Sequence, residues 1–248
     1  MYEHIDYEIK DSIATIFLSR QEKKNAYIPL MGMEIVSAFE VAMEDDEVRV
    51  VILTGRGETF CAGVDLGFLQ AHMSGEETGP GPKLGEEHLV NGWPLDLVDY
   101  PKPVLAAING SAFGVGVTMT LGCDVRYAAA GATLGLNFTS LGVLPGLGST
   151  HHLPQLVGVG KAMELVLGAA KITAEEACAI GLVQRLCAPG EVYSAVRSLA
   201  LDMAKVKPEV LAAARQALRL GANSSLEEAI ATEKSLSRQI GNIRQDAQ

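Results

Sequence analysis

The sequence predicts an α/β fold, and three observations predict it. Two apolar β-type runs, Val50–Thr54 and Val104–Ile108, each end in a glycine-containing bend. Helical patterns lie between and after these runs. From Gly160 onward the pattern is almost wholly helical. Strand, helix and strand joined by right-handed crossovers build a layered core. That core is expected over residues 1–190, with a helical region over 191–248.

Taken in order, Ile5–Ile9 and Ile13–Leu18 alternate apolar and polar residues around Lys10-Asp11-Ser12, the pattern of a β-hairpin. Arg20–Asn25 is a polar loop. Pro29 starts a helix running to about Met43, because a first-turn proline loses no hydrogen bond. Asp45-Asp46-Glu47 separates it from a strand at Val48–Leu53. Leu66–Pro94 contains the least regular segment, Ser74–Gly85, which is rich in Gly, Pro and Glu and reads as a mobile loop. Glu87–Asp99 recovers helix, with Trp93 near its middle and a break at Pro94. Val125–Ala128 and Thr133–Leu136 are two further strands. Ser149 is placed to cap a helix through Leu156. Helices are then expected at Lys161–Leu167, Ala174–Ala179 (capped by Thr173), Glu191–Ala204, Pro208–Leu218 and Ser225–Ile240, interrupted only by a strand at Val183–Leu186.

The chain has 248 residues, enough for one good core. Its formal net charge of −10 argues against nucleic acid or an anionic membrane surface as partner. There is no apolar stretch of membrane-spanning length and no signal-peptide pattern, so a cytoplasmic protein is expected. Cys61, Cys123, Cys178 and Cys187 are scattered and read as free thiols in a reducing compartment. His151 and His152 are adjacent and would point apart on a helix, which disfavours a shared metal. Gly114-Val115-Gly116 lacks the third glycine of a dinucleotide fingerprint, since Met119 stands there. Neither a G-x-S-x-G elbow nor a P-loop occurs.

The most informative stretch is Pro101–Asp124, where the Val104–Ile108 strand feeds a glycine-rich bend and then a helix. The first N–H groups of such a helix have no partners inside it, and with the helix dipole behind them they favour an oxygen carrying negative charge. A second junction of this kind follows Val50–Thr54, through Gly55-Arg56-Gly57 to Phe60-Cys61-Ala62-Gly63-Val64-Asp65-Leu66.

Together the two stretches resemble the crotonase (enoyl-CoA hydratase/isomerase) superfamily, whose oxyanion-hole donors lie in motifs F-x-A-G-x-D-L and N-G-x-A-x-G-x-G. The resemblance continues through Leu141–Leu153 and Ala174–Val183. It implies repeated ββα units wound into a superhelix, followed by a helical C-terminal region used for trimerisation, in a homotrimer or hexamer. It implies an acyl-CoA or acyl-carrier thioester as substrate and no cofactor beyond the coenzyme A carried by that substrate. The resemblance makes Ala62 and Val115 the two N–H donors. Lys24, Ala26, Ala62, Gly63, Val64, Asp65, Leu66 and Gly114 correspond to substrate-binding positions, and Asp65 alone would equally serve as a helix cap. Family members usually continue past the equivalent of Asp246-Ala247-Gln248 with a helix that closes over coenzyme A in a neighbouring subunit.

The departures from the family pattern concern its acids. Two glutamates that activate water in the hydratases correspond here to Thr118 and Phe138, and a third acidic position corresponds to Gly146. A positioned acid or base contributes about 10²–10⁴-fold, so hydration through two glutamates is disfavoured. Isomerase- or lyase-type chemistry is favoured instead, with a base supplied by Glu86, Glu87, His88 or Asp96 of the mobile region. Decarboxylation of an acyl thioester and non-catalytic acyl-CoA binding are the alternatives.

Overall fold

The computed structural model describes residues 2–76 and 81–246. Residues 77–80 of the expected Ser74–Gly85 loop, and Ala247-Gln248, lie outside the described residues. The chain opens with the expected hairpin, β1 (Ile5–Lys10) and β2 (Ile13–Leu18), paired antiparallel. Helix α1 (Pro29–Glu44) has its proline in the first turn and buries Met31, Ile35, Ala38, Phe39 and Ala42 along one face.

Three ββα units follow, each giving one strand to each of two sheets. The first holds β3 (Val50–Gly55), β4 (Thr59–Cys61), α2 (Leu66–Ser74), α3 (His88–Asn91) and α4 (Trp93–Asp99). The second holds β5 (Val104–Ile108), β6 (Ser111–Phe113) and α5 (Val115–Leu121). The third holds β7 (Val125–Ala129), β8 (Thr133–Gly135), α6 (Ser149–Val157) and α7 (Val159–Leu167). After these come β9 (Lys171–Thr173), α8 (Ala174–Ala179), β10 (Arg185–Cys187), α9 (Val192–Ala204), α10 (Pro208–Gly221) and α11 (Leu226–Asp246). Thr173 caps α8 as expected, in a reciprocal box with Glu176.

The larger sheet runs β1-β2-β3-β5-β7-β10, parallel from β2 onward. Every residue of β3 and β5 is buried, which is why both read as unbroken apolar runs. The smaller sheet runs β4-β6-β8-β9. Its three-residue strands are too short to show a period, and β4, β6 and β9 are additions to the expected strand list.

Helix α2 starts after Asp65, its expected cap, and is closed by Gly75 in the left-handed conformation. Two local expectations need correction. The break in the next helix falls at Gly92, which leaves Trp93 and Pro94 as the first turn of α4. Ser149 lies inside α6 while left-handed Gly148 takes the cap position, and the buried Ser149 hydroxyl has no partner among the described residues. Helix α9 packs on β2, β3, β5 and β7, and α10 (from Pro208) and α11 pack on each other.

Helix α10 is latched to the core by charge. Asp124, between α5 and β7, accepts from Arg215 Nε at 2.8 Å, Arg219 Nη2 at 2.8 Å and the Val104 amide at 2.8 Å. Helix α11 packs mainly on α10.

Candidate active site

The small sheet assembles the site. Strands β4, β6 and β8 are parallel neighbours, with Cys61 beside Ala112 and Phe113 beside Gly135. Their carboxyl ends therefore share one rim, where an open parallel sheet receives ligands. The segments Ala62–Leu66, Gly114–Val115 and Leu136–Phe138 leave from this rim, so the two sequence motifs meet in space.

The loop 20–27 backs the first motif. Lys24 and Asn25 are both left-handed, at φ 52° and 53°, a cost that non-glycine residues carry only where the surroundings demand it. Asn25 supplies the demand. Fully buried, it donates to the carbonyls of Arg56 and Thr59 at 2.9 and 2.8 Å and accepts from the Arg20 amide at 3.0 Å. Loop 20–27 is thereby pinned to the turn between β3 and β4. Arg20 adds a donation to the Ala26 carbonyl and pairs with Asp65 at 3.4 Å.

This pinning decides which amides are free. The Ala62 N–H, expected to be a donor to substrate, already donates to the Lys24 carbonyl at 3.0 Å. Tyr27 donates to the Gly63 carbonyl at 2.8 Å and accepts from the Asp65 amide at 2.8 Å, as a one-residue parallel bridge to Val64. In such a bridge the amide of the enclosed residue points to the opposite side. The Val64 N–H therefore faces away from Tyr27, and it donates to no other group among the described residues. The free amide of the first motif belongs to Val64, not to Ala62.

In the second motif Gly114 holds φ 51° and ψ −117°, a conformation closed to side-chain-bearing residues. Val115 is the first helical residue, and its N–H likewise has no partner among the described residues. Gly116 brings the two motifs together. A methyl carbon there would lie 2.7 Å from Cys61 Cβ and 2.9 Å from its carbonyl oxygen. Burial pushes the Cys61 thiol up to about 12, so at neutral pH it packs as a thiol and is no nucleophile.

The remaining expected binding positions surround the same rim. Asp65 caps α2 by accepting from the Gly67 amide at 3.0 Å, its structural alternative. Lys24 and Leu66 are exposed, and Ala26 is buried. Gly63 offers no free carbonyl, because Tyr27 takes it.

Thr118 and Phe138 stand near the Gly114–Val115 turn. Thr118 is buried and its hydroxyl turns back toward the Val115 carbonyl at 3.4 Å. Phe138 is buried with its ring edge 3.9 Å from where a methyl on Gly114 would lie. Gly146 faces Val90 of α3, whose Cγ1 would be 3.4 Å from such a methyl. No carboxylate is available at any of these three positions.

The expected sources of a base are differently placed. Glu87 is not part of a loose segment. It is 2% exposed, and its carboxylate accepts from the Tyr27 hydroxyl and the Gly85 amide, both at 2.6 Å. His88 pairs with Asp96 at 2.6 Å on the exposed side of α3 and α4, and Glu86 is exposed. Two cavities lie off the rim. One of about 330 Å³ is lined by Arg185, Cys187 and Glu191, and an apolar one of about 140 Å³ lies between α6 and α7 beside Pro145.

Comparison with known proteins shows the family of the chain. The enoyl-CoA hydratase/isomerase family model matches residues 8–246. A probable enoyl-CoA hydratase of Rhodobacter capsulatus is 36% identical over 97% of this chain and 90% of its own length. The 1,2-epoxyphenylacetyl-CoA isomerase of Escherichia coli is 31% identical over 97% of this chain and 91% of its own. The crystal structure of an enoyl-CoA hydratase from Bacillus anthracis superposes with a TM-score of 0.83 at 33% identity, covering 95% of this chain and 90% of that one.

Proposed function

Because the chain belongs to the enoyl-CoA hydratase/isomerase family, we propose that it grips the carbonyl oxygen of an acyl-CoA thioester between the N–H groups of Val64 and Val115. The observation that carries this reading is the pair of unpartnered amides on one rim, each held by backbone bonds or by glycine geometry. A preorganised donor of this kind contributes about 3 kcal/mol to an enolate or tetrahedral oxyanion. The dipole of α5 adds to the Val115 donor.

The reaction is of isomerase or lyase type rather than hydration through two carboxylates. Thr118, Phe138 and Gly146 support this, since none can hold or activate a water as a glutamate does. Phe138 favours a second reading, decarboxylation. Its buried ring makes the surroundings apolar, where a substrate carboxylate is destabilised and the enolate left by its loss is held by the amides. Exposed Leu218 and Leu226 on the projecting α10–α11 pair support assembly as a homotrimer or hexamer.

Calorimetry with butyryl-CoA, followed by product analysis over a panel of acyl-CoA thioesters, tests the reading. Saturable binding is expected, with crotonyl-CoA hydration far below about 10 per second, the middle of the enzyme range. Binding without turnover of any thioester would make the protein an acyl-CoA binder. Rapid hydration of crotonyl-CoA would overturn the reaction class, and absence of binding would overturn the site.

A further inference from the structure

Tyr27 and Glu87 form a buried polar pair that the oxyanion chemistry does not use. Tyr27 is 0% exposed and Glu87 2% exposed, and their 2.6 Å hydrogen bond joins residues sixty positions apart. Burying a phenol and a carboxyl is costly unless both are hydrogen-bonded. Here both are, because the second carboxylate oxygen takes the Gly85 amide at 2.6 Å. Burial, followed by the neighbouring Glu87 carboxylate, raises the Tyr27 pKa well above its ordinary value, so Tyr27 is the donor. The fit depends on α1, since any side-chain carbon at Gly32 would collide with the Tyr27 hydroxyl.

The two ends of this pair sit on different parts of the site. Tyr27 brackets Val64 through its backbone bonds to Gly63 and Asp65. Glu87 immediately precedes α3, whose Val90 stands against Gly146. The geometry points to Tyr27 and Glu87 as positioning residues: a strut that holds the Val64 donor in register with the α3 wall of the acyl pocket. Neither residue touches the reacting atoms. The strut rests on the functional reading above for Val64 as the donor, while the coupling of the two segments stands on the hydrogen bonds alone.

Glu87→Gln keeps the size of the side chain but turns an amide donor toward either the Tyr27 hydroxyl or the Gly85 amide, and Tyr27→Phe removes the bond from the other end. Hydrogen exchange of the Tyr27 and Asp65 amides, which make the bridge around Val64, reads the coupling without any ligand. Glu87→Gln is expected to speed both by about tenfold, the effect of losing one hydrogen bond. Acceleration confined to residues 85–92, with the bridge amides unmoved, would overturn the strut. A second readout is the ratio of affinities for butyryl-CoA and free coenzyme A. Tyr27→Phe should shrink that ratio several-fold, since a mere loss of stability weakens both ligands together. An unchanged ratio in a folded variant overturns the positioning role. If the unsubstituted protein itself failed to prefer butyryl-CoA, the functional reading would fall, and the exchange result would still decide the strut.

Discussion

The two ends of α5 are built in opposite ways. At its N-terminus, Gly114 turns the chain sharply and the Val115 amide is left without a partner among the described residues. At its C-terminus the last carbonyls are saturated. Buried Arg126 donates to the carbonyls of Thr120, Leu121 and Cys123 at 3.2, 3.3 and 2.7 Å, and Arg219 donates to that of Gly122 at 2.6 Å. Cations at a helix C-terminus oppose its negative pole, and unpaired amides at the other end present its positive pole to a ligand. One end is finished by the protein and the other is left open. A seven-residue helix too short to be stable alone is thereby held in place by its closed end.

If so, damage to the closed end should cost stability, and damage to the open end should cost function. Arg126→Met removes the guanidinium and strands several buried carbonyls, including that of Leu182, which accepts from Nε at 2.9 Å. Roughly 3 kcal/mol or more of folding stability should be lost in a urea titration, because each stranded group costs about 1–3 kcal/mol. Gly114→Ala should lose only about 1–2 kcal/mol, the cost of a strained backbone residue. Its larger effect falls on catalysis, where re-aiming one amide reduces kcat by about a hundredfold. Val64→Ala sharpens the contrast, since a backbone donor survives a change of side chain. Acyl-CoA affinity should stay within about twofold of the unsubstituted protein, with stability changed by under about 1 kcal/mol.

His152 reports the same asymmetry through pH. It lies beside Gly122 at the closed end, and its pKa falls from 6.5 to about 4 through burial first, then the charges of His151, Arg219 and Arg126. The unfolded chain therefore binds a proton that the folded one refuses between those two values. Stability is fully present above 6.5, declines as pH falls through the window, and His152→Gln should flatten that decline in thermal unfolding curves.

The layers and the motifs were legible in the sequence because their signals are local. The buried runs of β3 and β5, the proline start of α1 and the Thr173–Glu176 box each lie within a few residues. The open start of α5 was legible for the same reason, as a glycine bend ahead of a helix, and the resemblance pointed to Val115 there. The free amide of the first motif was expected at Ala62 and lies two positions on, at Val64, because a bridge to Tyr27 and a bond to Lys24, both distant in the chain, decide which amide is taken. Glu87 read as a free acid in an irregular stretch, and only the packing of α3 on α1 shows where its carboxylate goes. Ser149 misled as a cap because Gly148 adopts a left-handed conformation that moves the helix start by one residue.

The most direct test is infrared spectroscopy of butyryl-CoA labelled with carbon-13 at the thioester carbonyl, bound to the protein. Two backbone donors on one oxygen polarise the bond. The carbonyl stretch should therefore move to lower frequency on binding than in water, and Gly114→Ala should return part of that shift. A bound thioester whose stretch stays at or above its value in water would contradict the site at Val64 and Val115.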